Sequence, residues 1–256
     1  MNTSEWSIRE LEPIYVNIFI LEENTYLKIE EKIRKQKIYI FIGLNLKGYK
    51  EIIGVYYPEE ETTSYWSKEI NELRTRGIKD IFMISMINNK WLKKVFKINY
   101  PNAIQAPSMI EFYNKTYYYI ARKHHRIIMR EISRIYKAED IEEAKKIYYN
   151  LKEEYKENKL LIMIIDKYIK EIFDMFKYGH QARVITSNTD SYNKMRNNIR
   201  WNMNKKQLFN NQKELKEHMN NLLKKEEEKW HPSIKNWDKI IQELDCDLAD
   251  KIYDLV

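Results

Sequence analysis

The chain has 256 residues, 43 % hydrophobic and 32 % charged, which suits one large domain, or one domain carrying an insertion, with a real core and a well-solvated surface. The single cysteine, Cys246, excludes an internal disulfide and has no metal-ligand spacing around it, and no apolar run is long enough to span a bilayer. The net charge of +7, from 45 Lys and Arg against 38 Asp and Glu, favours a polyanionic partner because each neutralised phosphate releases counterions, although an AT-rich genome also produces a Lys-, Ile-, Asn- and Tyr-rich skew by codon bias.

The polar, charged start, residues 1–10, has no signal-peptide pattern, so the expected location is the cytoplasm, associated with the nucleoid if the host is bacterial. Residues 14–21 (IYVNIFIL) are β-branched and aromatic with a period near two and predict a first strand. Residues 37–46 (KIYIFIGLNL) predict a second, and after the Lys47-Gly48 turn signal residues 49–57 predict a third, making an antiparallel meander. Thr62 or Thr63 then caps a helix in which Tyr65, Trp66, Ile70 and Leu73 recur at helical spacing, and Gly77 ends it. The continuous apolar run 78–87 reads as a fourth strand buried on both faces. A helix over 90–97 and a short fifth strand over 103–106 complete the order β-β-β-α-β-α-β, which suggests a ribonuclease H-like α/β core.

From 109 to 177 the pattern is helical: Ile127, Ile128, Ile132 and Ile135 mark one helix, Ala144, Ile147, Tyr148 and Leu151 the next, and 161–176 a third. Helix resumes near Asn188 and continues to about Arg200; 204–229 is polar, and its charged run 224–229 reads as a solvated face. His231-Pro232 breaks the chain before a short helix over 236–244.

Nucleotide-binding glycine loops, zinc-protease and serine-hydrolase motifs are all missing, and five glycines leave little for a phosphate cradle. His124 and His125, adjacent on a helix, point in different directions and make a poor metal pair. The basic cluster around them reads as an exposed helix face that can meet phosphate, and His180 reads as a helix-end residue. Two carboxylates stand at element ends: Glu12 before the first strand and Asp190 at the head of a late helix. The fourth strand ends in Ile87-Asn88-Asn89, with no carboxylate.

From about Leu11 to Leu244 the chain resembles the mutator-type transposases of bacterial insertion sequences, which are DDE transposases. The resemblance is carried by residues 49–56 (YKEIIGVY), 60–66 (EETTSYW), 73–81 (LRTRGIKDI), 134–138 (RIYKA) with 142–144 (EEA), and 230–237 (WHPSIKNW). It implies a ribonuclease H-like core over 9–108, an all-helical insertion over 109–184, and the last core helix with a helical C-terminal part over 185–256. It further implies Mg²⁺-dependent cutting and joining of transposon ends, with three acids on two metals. On that pattern Glu12 takes the first acid position, Ile87 the second and Asp190 the third, with one residue missing between Asn188 and Ser191; the family's C-x-x-H falls on Pro107 and Ile110.

Glu12 and Asp190 keep the charge and change its reach by one methylene, whereas Ile87 cannot ligate a metal at all. Asp80 lies at the other end of its strand, roughly 20 Å away, and Glu111 is the candidate replacement, from the next element. Few residues precede Glu12, where the resemblance implies a DNA-end-binding region. The expectation is a truncated, degenerate transposase, related to DNA transposition and catalytically defective, which retains DNA binding mostly through phosphate. Arg122, Lys123, Arg126, Asn188, Lys194, Arg196 and Arg200 are the expected DNA contacts; any Mg²⁺ would fall to Glu12 and Asp190. Two alternatives stay open: a DNA- or protein-binding module domesticated from a transposase, and an active Mg²⁺-dependent nuclease with a replaced acid. No membrane partner is expected, and a homodimer is left open.

Overall fold

The computed structural model describes residues 5–120, 122–187, 190–230, 237–242 and 244. A short helix α1 (Glu5–Ile8) leads into β1 (Ile14–Ile29), β2 (Lys32–Asn45), β3 (Lys50–Tyr56), α2 (Thr63–Thr75), β4 (Asp80–Met86), α3 (Lys90–Asn99) and β5 (Ile104–Pro107). Helices α4 (Met109–Tyr119), α5 (Arg122–Lys137), α6 (Ile141–Glu154), α7 (Lys159–Asp174), α8 (His180–Ser187), α9 (Asp190–Lys206) and α10 (Gln212–Glu227) follow, with a 3-10 turn at Met175–Lys177. The five strands form one sheet in the order β3-β2-β1-β4-β5, with β1–β2 and β2–β3 antiparallel and β1–β4 parallel.

The local chemistry explains the turns that build this order. Thr62 accepts from the Tyr65 N–H and caps α2, whose apolar stripe Trp66, Ile70 and Leu73 is buried. Gly77 has φ +124°, and a side chain there would meet the Leu11 carbonyl at 2.5 Å, so the chain can pass from α2 to β4 only with glycine at this point. Asn89 caps α3 by accepting from the N–H groups of Trp91 and Leu92. β4 is buried along nearly its whole length, in keeping with its unbroken apolar run.

The chain divides into two compact units, Met1–Gln105 with Asp190–Trp237, and Ala106–Thr189 with Asp238–Val256. The first unit packs Tyr15, Ile18, Phe41, Trp66, Ile84 and Phe96 into one core with the rings of Phe41 and Trp66 stacked. The second packs Phe112, Ile132, Tyr136, Leu151, Leu161 and Ile172. Each fully buried aliphatic side chain of this kind contributes about 1.5–3 kcal/mol. In the second unit Arg183 is buried and donates to the carbonyls of Tyr136, Ala138 and Tyr178, closing the C-terminal end of α5 with a cation.

Two expectations are corrected. β1 and β2 run well past the predicted 14–21 and 37–46: residues 22–36 form a long polar hairpin whose register continues to Ile29↔Lys32. The run 224–229 is more than a solvated face, because helical spacing from Leu215, Met219 and Leu222 carries Glu226 to 5 % exposure. Glu226 accepts from Asn198 and Lys229 there. Asn188, residues 231–236 of the tryptophan motif and Cys246 lie outside the described residues. Among the described residues no helix is long and apolar enough to cross a membrane.

Candidate active site

The parallel pair β1 and β4 sets the geometry. Their register runs from Ile14↔Asp80 to Phe19↔Ser85. Ile87 therefore follows β4 at the same end as the second half of β1, and Asp80 lies at the opposite end with Pro13. In the buried middle Asn17 donates to Ser85 Oγ at 2.9 Å and accepts from the Ser85 N–H at 3.1 Å. Each polar group thus satisfies the other, as burial requires.

At the carboxyl end of the β1–β4 pair the two neighbouring acids of β1, Glu22 and Glu23, face opposite ways, as strand alternation demands. Glu23 is 4 % exposed and bonds the guanidinium groups of two α9 arginines, Arg196 through Nε and Arg200 through Nε at 2.8 Å. Arg196 also donates to the Glu22 carbonyl at 3.2 Å. Tyr192 stacks on Phe19 with ring centroids 4.0 Å apart, so an aromatic contact and an ion triad together seat α9 on β1.

On the other face Glu22 approaches Lys37 at 3.8 Å, and Glu61 accepts from Lys37 at 2.5 Å, Tyr39 Oη at 2.7 Å and Asn89 Nδ2 at 2.5 Å. Burial alone would raise the Glu61 carboxyl, but the hydrogen bonds from Lys37, Tyr39 and Asn89 outweigh it and hold it below the usual carboxylate range. Burial likewise works against the Lys37 ammonium, and its two carboxylates outweigh that and raise it.

Two of the expected positions, Glu12 and Ile87, lie apart. Glu12 stands before β1 with its N–H bonded to Tyr15 Oη at 3.3 Å and its carboxylate 3.9 Å from Lys47. It lines a cleft of about 790 Å³ with Arg9, Glu51 and Glu227, at the amino end of β1 and away from Glu23. Ile87 is 4 % exposed and belongs to the first unit's apolar core. Asp190 opens α9, but its side chain lies outside the described residues, as do those of Arg122 and Lys123 on α5. Arg126 and Lys194 are exposed. Arg196, expected on the DNA side, is instead 8 % exposed and committed to Glu23, as is the partly exposed Arg200. Of the C-x-x-H positions, Pro107 ends β5 and Ile110 is buried in α4; Glu111 is held by Lys115.

Glu23 and Glu61 are the residues that sequence reasoning missed. The available signal was a pair of acids, Glu22-Glu23, set directly against the apolar run 14–21. An acid continuing a buried strand needs a partner.

The sequence pattern described as "Transposase, Mutator family" matches residues 1–233, and the chain belongs to that family. Its relatives include a "Transposase for insertion sequence element IS905" of Lactococcus lactis, 23 % identical over 219 residues, which cover 85 % of this chain and 56 % of that protein. Another is a "Transposase for insertion sequence element ISRM3" of Rhizobium meliloti, 24 % identical over 151 residues, 59 % of this chain and 38 % of the relative. The chain therefore spans about half or less of the length of the curated relatives it matches.

Proposed function

We propose that this chain is a transposase-derived DNA-binding protein with a ribonuclease H-like core, in which internal ion pairs have replaced two-metal catalysis. The sheet order β3-β2-β1-β4-β5 with β1 parallel to β4, followed after the helical stretch by α9 on β1, supports that core. The observation that carries the catalytic reading is the state of the carboxylates at the strand ends. Glu23 is bonded by two arginines, Glu22 and Glu61 share Lys37, and Ile87 offers no donor.

The Mg²⁺ that the family implies does not fit these residues. A divalent cation needs carboxylate oxygens that it can neutralise, and each of these carboxylates already faces a cation of the chain. The runner-up, an active nuclease with a replaced acid, would have to draw on Glu22 and Glu61, and Lys37 bridges them. DNA binding in this reading rests on the net charge of +7 and on exposed cations such as Arg126 and Lys194.

Calorimetric titration of the chain with Mn²⁺ and Mg²⁺, beside an Asp190→Ala variant, tests the reading. No binding at millimolar metal is expected, and no nicking of supercoiled DNA. Metal binding that disappears in Asp190→Ala would restore a carboxylate centre and sink the proposal.

A further inference from the structure

Among the described residues, nothing covers one face of the long hairpin of β1 and β2 at Tyr26 and Ile33. Residues 24–37 carry Lys28, Lys32, Arg34, Lys35 and Lys37 against Glu30 and Glu31, so this short stretch holds three of the chain's seven net positive charges. The register pairs Tyr26 with Lys35 and Lys28 with Ile33. Directly opposed residues share a face, and so do residues two apart, so all four lie on one side. Tyr26 is 55 % exposed there and Ile33 63 %.

The other side is braced. Leu27 is 1 % exposed, the Lys28 N–H donates to the Phe209 carbonyl at 2.8 Å, and the Phe209 N–H donates to the Tyr26 carbonyl at 3.0 Å. A bare two-stranded ribbon is marginal in water; this one is held against β1's outer edge and presents its open face in a fixed shape.

Several cations elsewhere make a contrast. Arg9, Lys115, Arg130, Arg134, Arg196 and Lys229 are each spent on a carboxylate of the chain. Lys32, Arg34 and Lys35 are exposed, and no carboxylate among the described residues takes them. Lys35 lies on the open face, and Lys32 and Arg34 alternate to the other side near the tip. An exposed aromatic and an exposed aliphatic side chain on a ribbon with three uncommitted cations fit a partner with rows of negative charge and base edges that carry thymine methyl groups. A two-stranded ribbon also has the width that the major groove of duplex DNA admits, and a ribbon lying in that groove has a phosphate backbone on either side.

We infer that the β1–β2 hairpin is a DNA-binding ribbon. Lys32, Arg34 and Lys35 meet backbone phosphates, and Tyr26 and Ile33 meet the groove. The inference rests on the DNA-binding reading above and adds a surface to it. The test is fluorescence anisotropy of the full chain on a labelled duplex across a salt series. It compares wild type with Lys32→Ala/Arg34→Ala/Lys35→Ala, with Tyr26→Ser, and with exposed Lys170→Ala as a comparison outside the ribbon. The triple variant is expected to bind roughly 10–100-fold more weakly at low salt, with the slope of log K against log salt shallower by about 2–3, one for each phosphate no longer neutralised. Tyr26→Ser weakens binding with the slope unchanged. Unaltered circular dichroism and unfolding midpoint establish that the variants stay folded. Should the triple variant fail that check, Glu30→Asn/Glu31→Gly replaces it: this suits the positive φ of +46° and +63° at the turn, removes two repelling charges and tightens binding. Wild-type binding that neither the ribbon variants nor the turn variant alter overturns the ribbon alone. A wild type that does not bind duplex at all overturns the DNA reading and the ribbon with it.

Discussion

The two ends of the central sheet hold their carboxylates in different ways. At the carboxyl end of the β1–β4 pair, Glu23 is enclosed by α9 and answered by two guanidinium groups, and Ile87 is buried in the apolar core. At the amino end, Glu227 on α10 accepts from Arg9 at 2.9 and 3.0 Å, from Trp6 Nε1 at 3.2 Å and from the Ile52 N–H at 2.8 Å, yet it borders an open cleft. The first arrangement is dry and has no slack; the second is wet and redundant. A charge that is removed or added should therefore cost most where water cannot replace the missing partner.

The largest effect is expected at the dry end from Ile87→Asp, the substitution that writes an acid back at the second expected position. The side chain sits in the core, so the variant loses at least the roughly 2–5 kcal/mol of an Ile→Ala truncation and adds the cost of a buried carboxyl. Urea denaturation measures it. Millimolar Mn²⁺ is expected not to restore stability, since Glu23 remains bound to its arginines. Recovery with Mn²⁺ would mean that a metal site reassembles around a single replaced residue.

Next is Arg196→Met, which leaves Glu23 buried with Arg200 alone. Breaking one side of a buried ion pair costs about 3–5 kcal/mol, whereas replacing the buried charges on both sides by apolar groups is often neutral. The double variant Glu23→Leu/Arg196→Met should thus recover most of the loss, with the partly exposed Arg200 free to turn to water. A double variant as unstable as the single one would mean that α9 is held by Tyr192 and Phe19 rather than by the triad.

At the wet end, Glu227→Gln is expected to cost about 1–3 kcal/mol at neutral pH, the range for hydrogen bonds to a charged group. Burial alone would raise the Glu227 carboxyl; the bonds from Arg9, Ile52 and Trp6 outweigh it and hold it low. A carboxyl whose pKa is depressed by folding stabilises the fold above its unfolded pKa, about 4.3 for Glu. That contribution fades as the pH falls through the lower folded value. The stability gap between wild type and Glu227→Gln should therefore be constant from pH 7 to about 5 and close below about 4. A gap independent of pH would assign it to packing.

The contrast between the ends also explains what the sequence could reveal. Elements whose pattern follows burial were legible: the apolar run of β4, the Trp66-Ile70-Leu73 stripe of α2, and the cap at Thr62 or Thr63. The long hairpin was not, because one of its faces is open and its residues alternate between Lys, Glu and apolar types, which composition alone assigns to a loop. Glu23 was hidden for a related reason. Its partners, Arg196 and Arg200, lie 173 and 177 positions away, and local periodicity carries no information about pairs at that separation. Glu12 drew attention by standing before a strand, and strand direction then carried it to the end of the sheet away from Ile87.

Glu12 gives the smallest effect and the sharpest check on the contrast. Its carboxylate is 3.9 Å from Lys47 Nζ, with side chains 43 % and 75 % exposed. Ordering two long side chains in water offsets nearly all of such an attraction. Glu12→Ala should change stability by less than about 0.5 kcal/mol, with no dependence on salt between low and physiological ionic strength. Any metal uptake should be the same as in wild type, because Glu12 shares no partner with Glu23 or Glu61. A loss above about 1.5 kcal/mol would exceed what an exposed pair can supply. The amino end would then be as tightly organised as the carboxyl end, and the cleft that Glu12 lines would have to be treated as a built site.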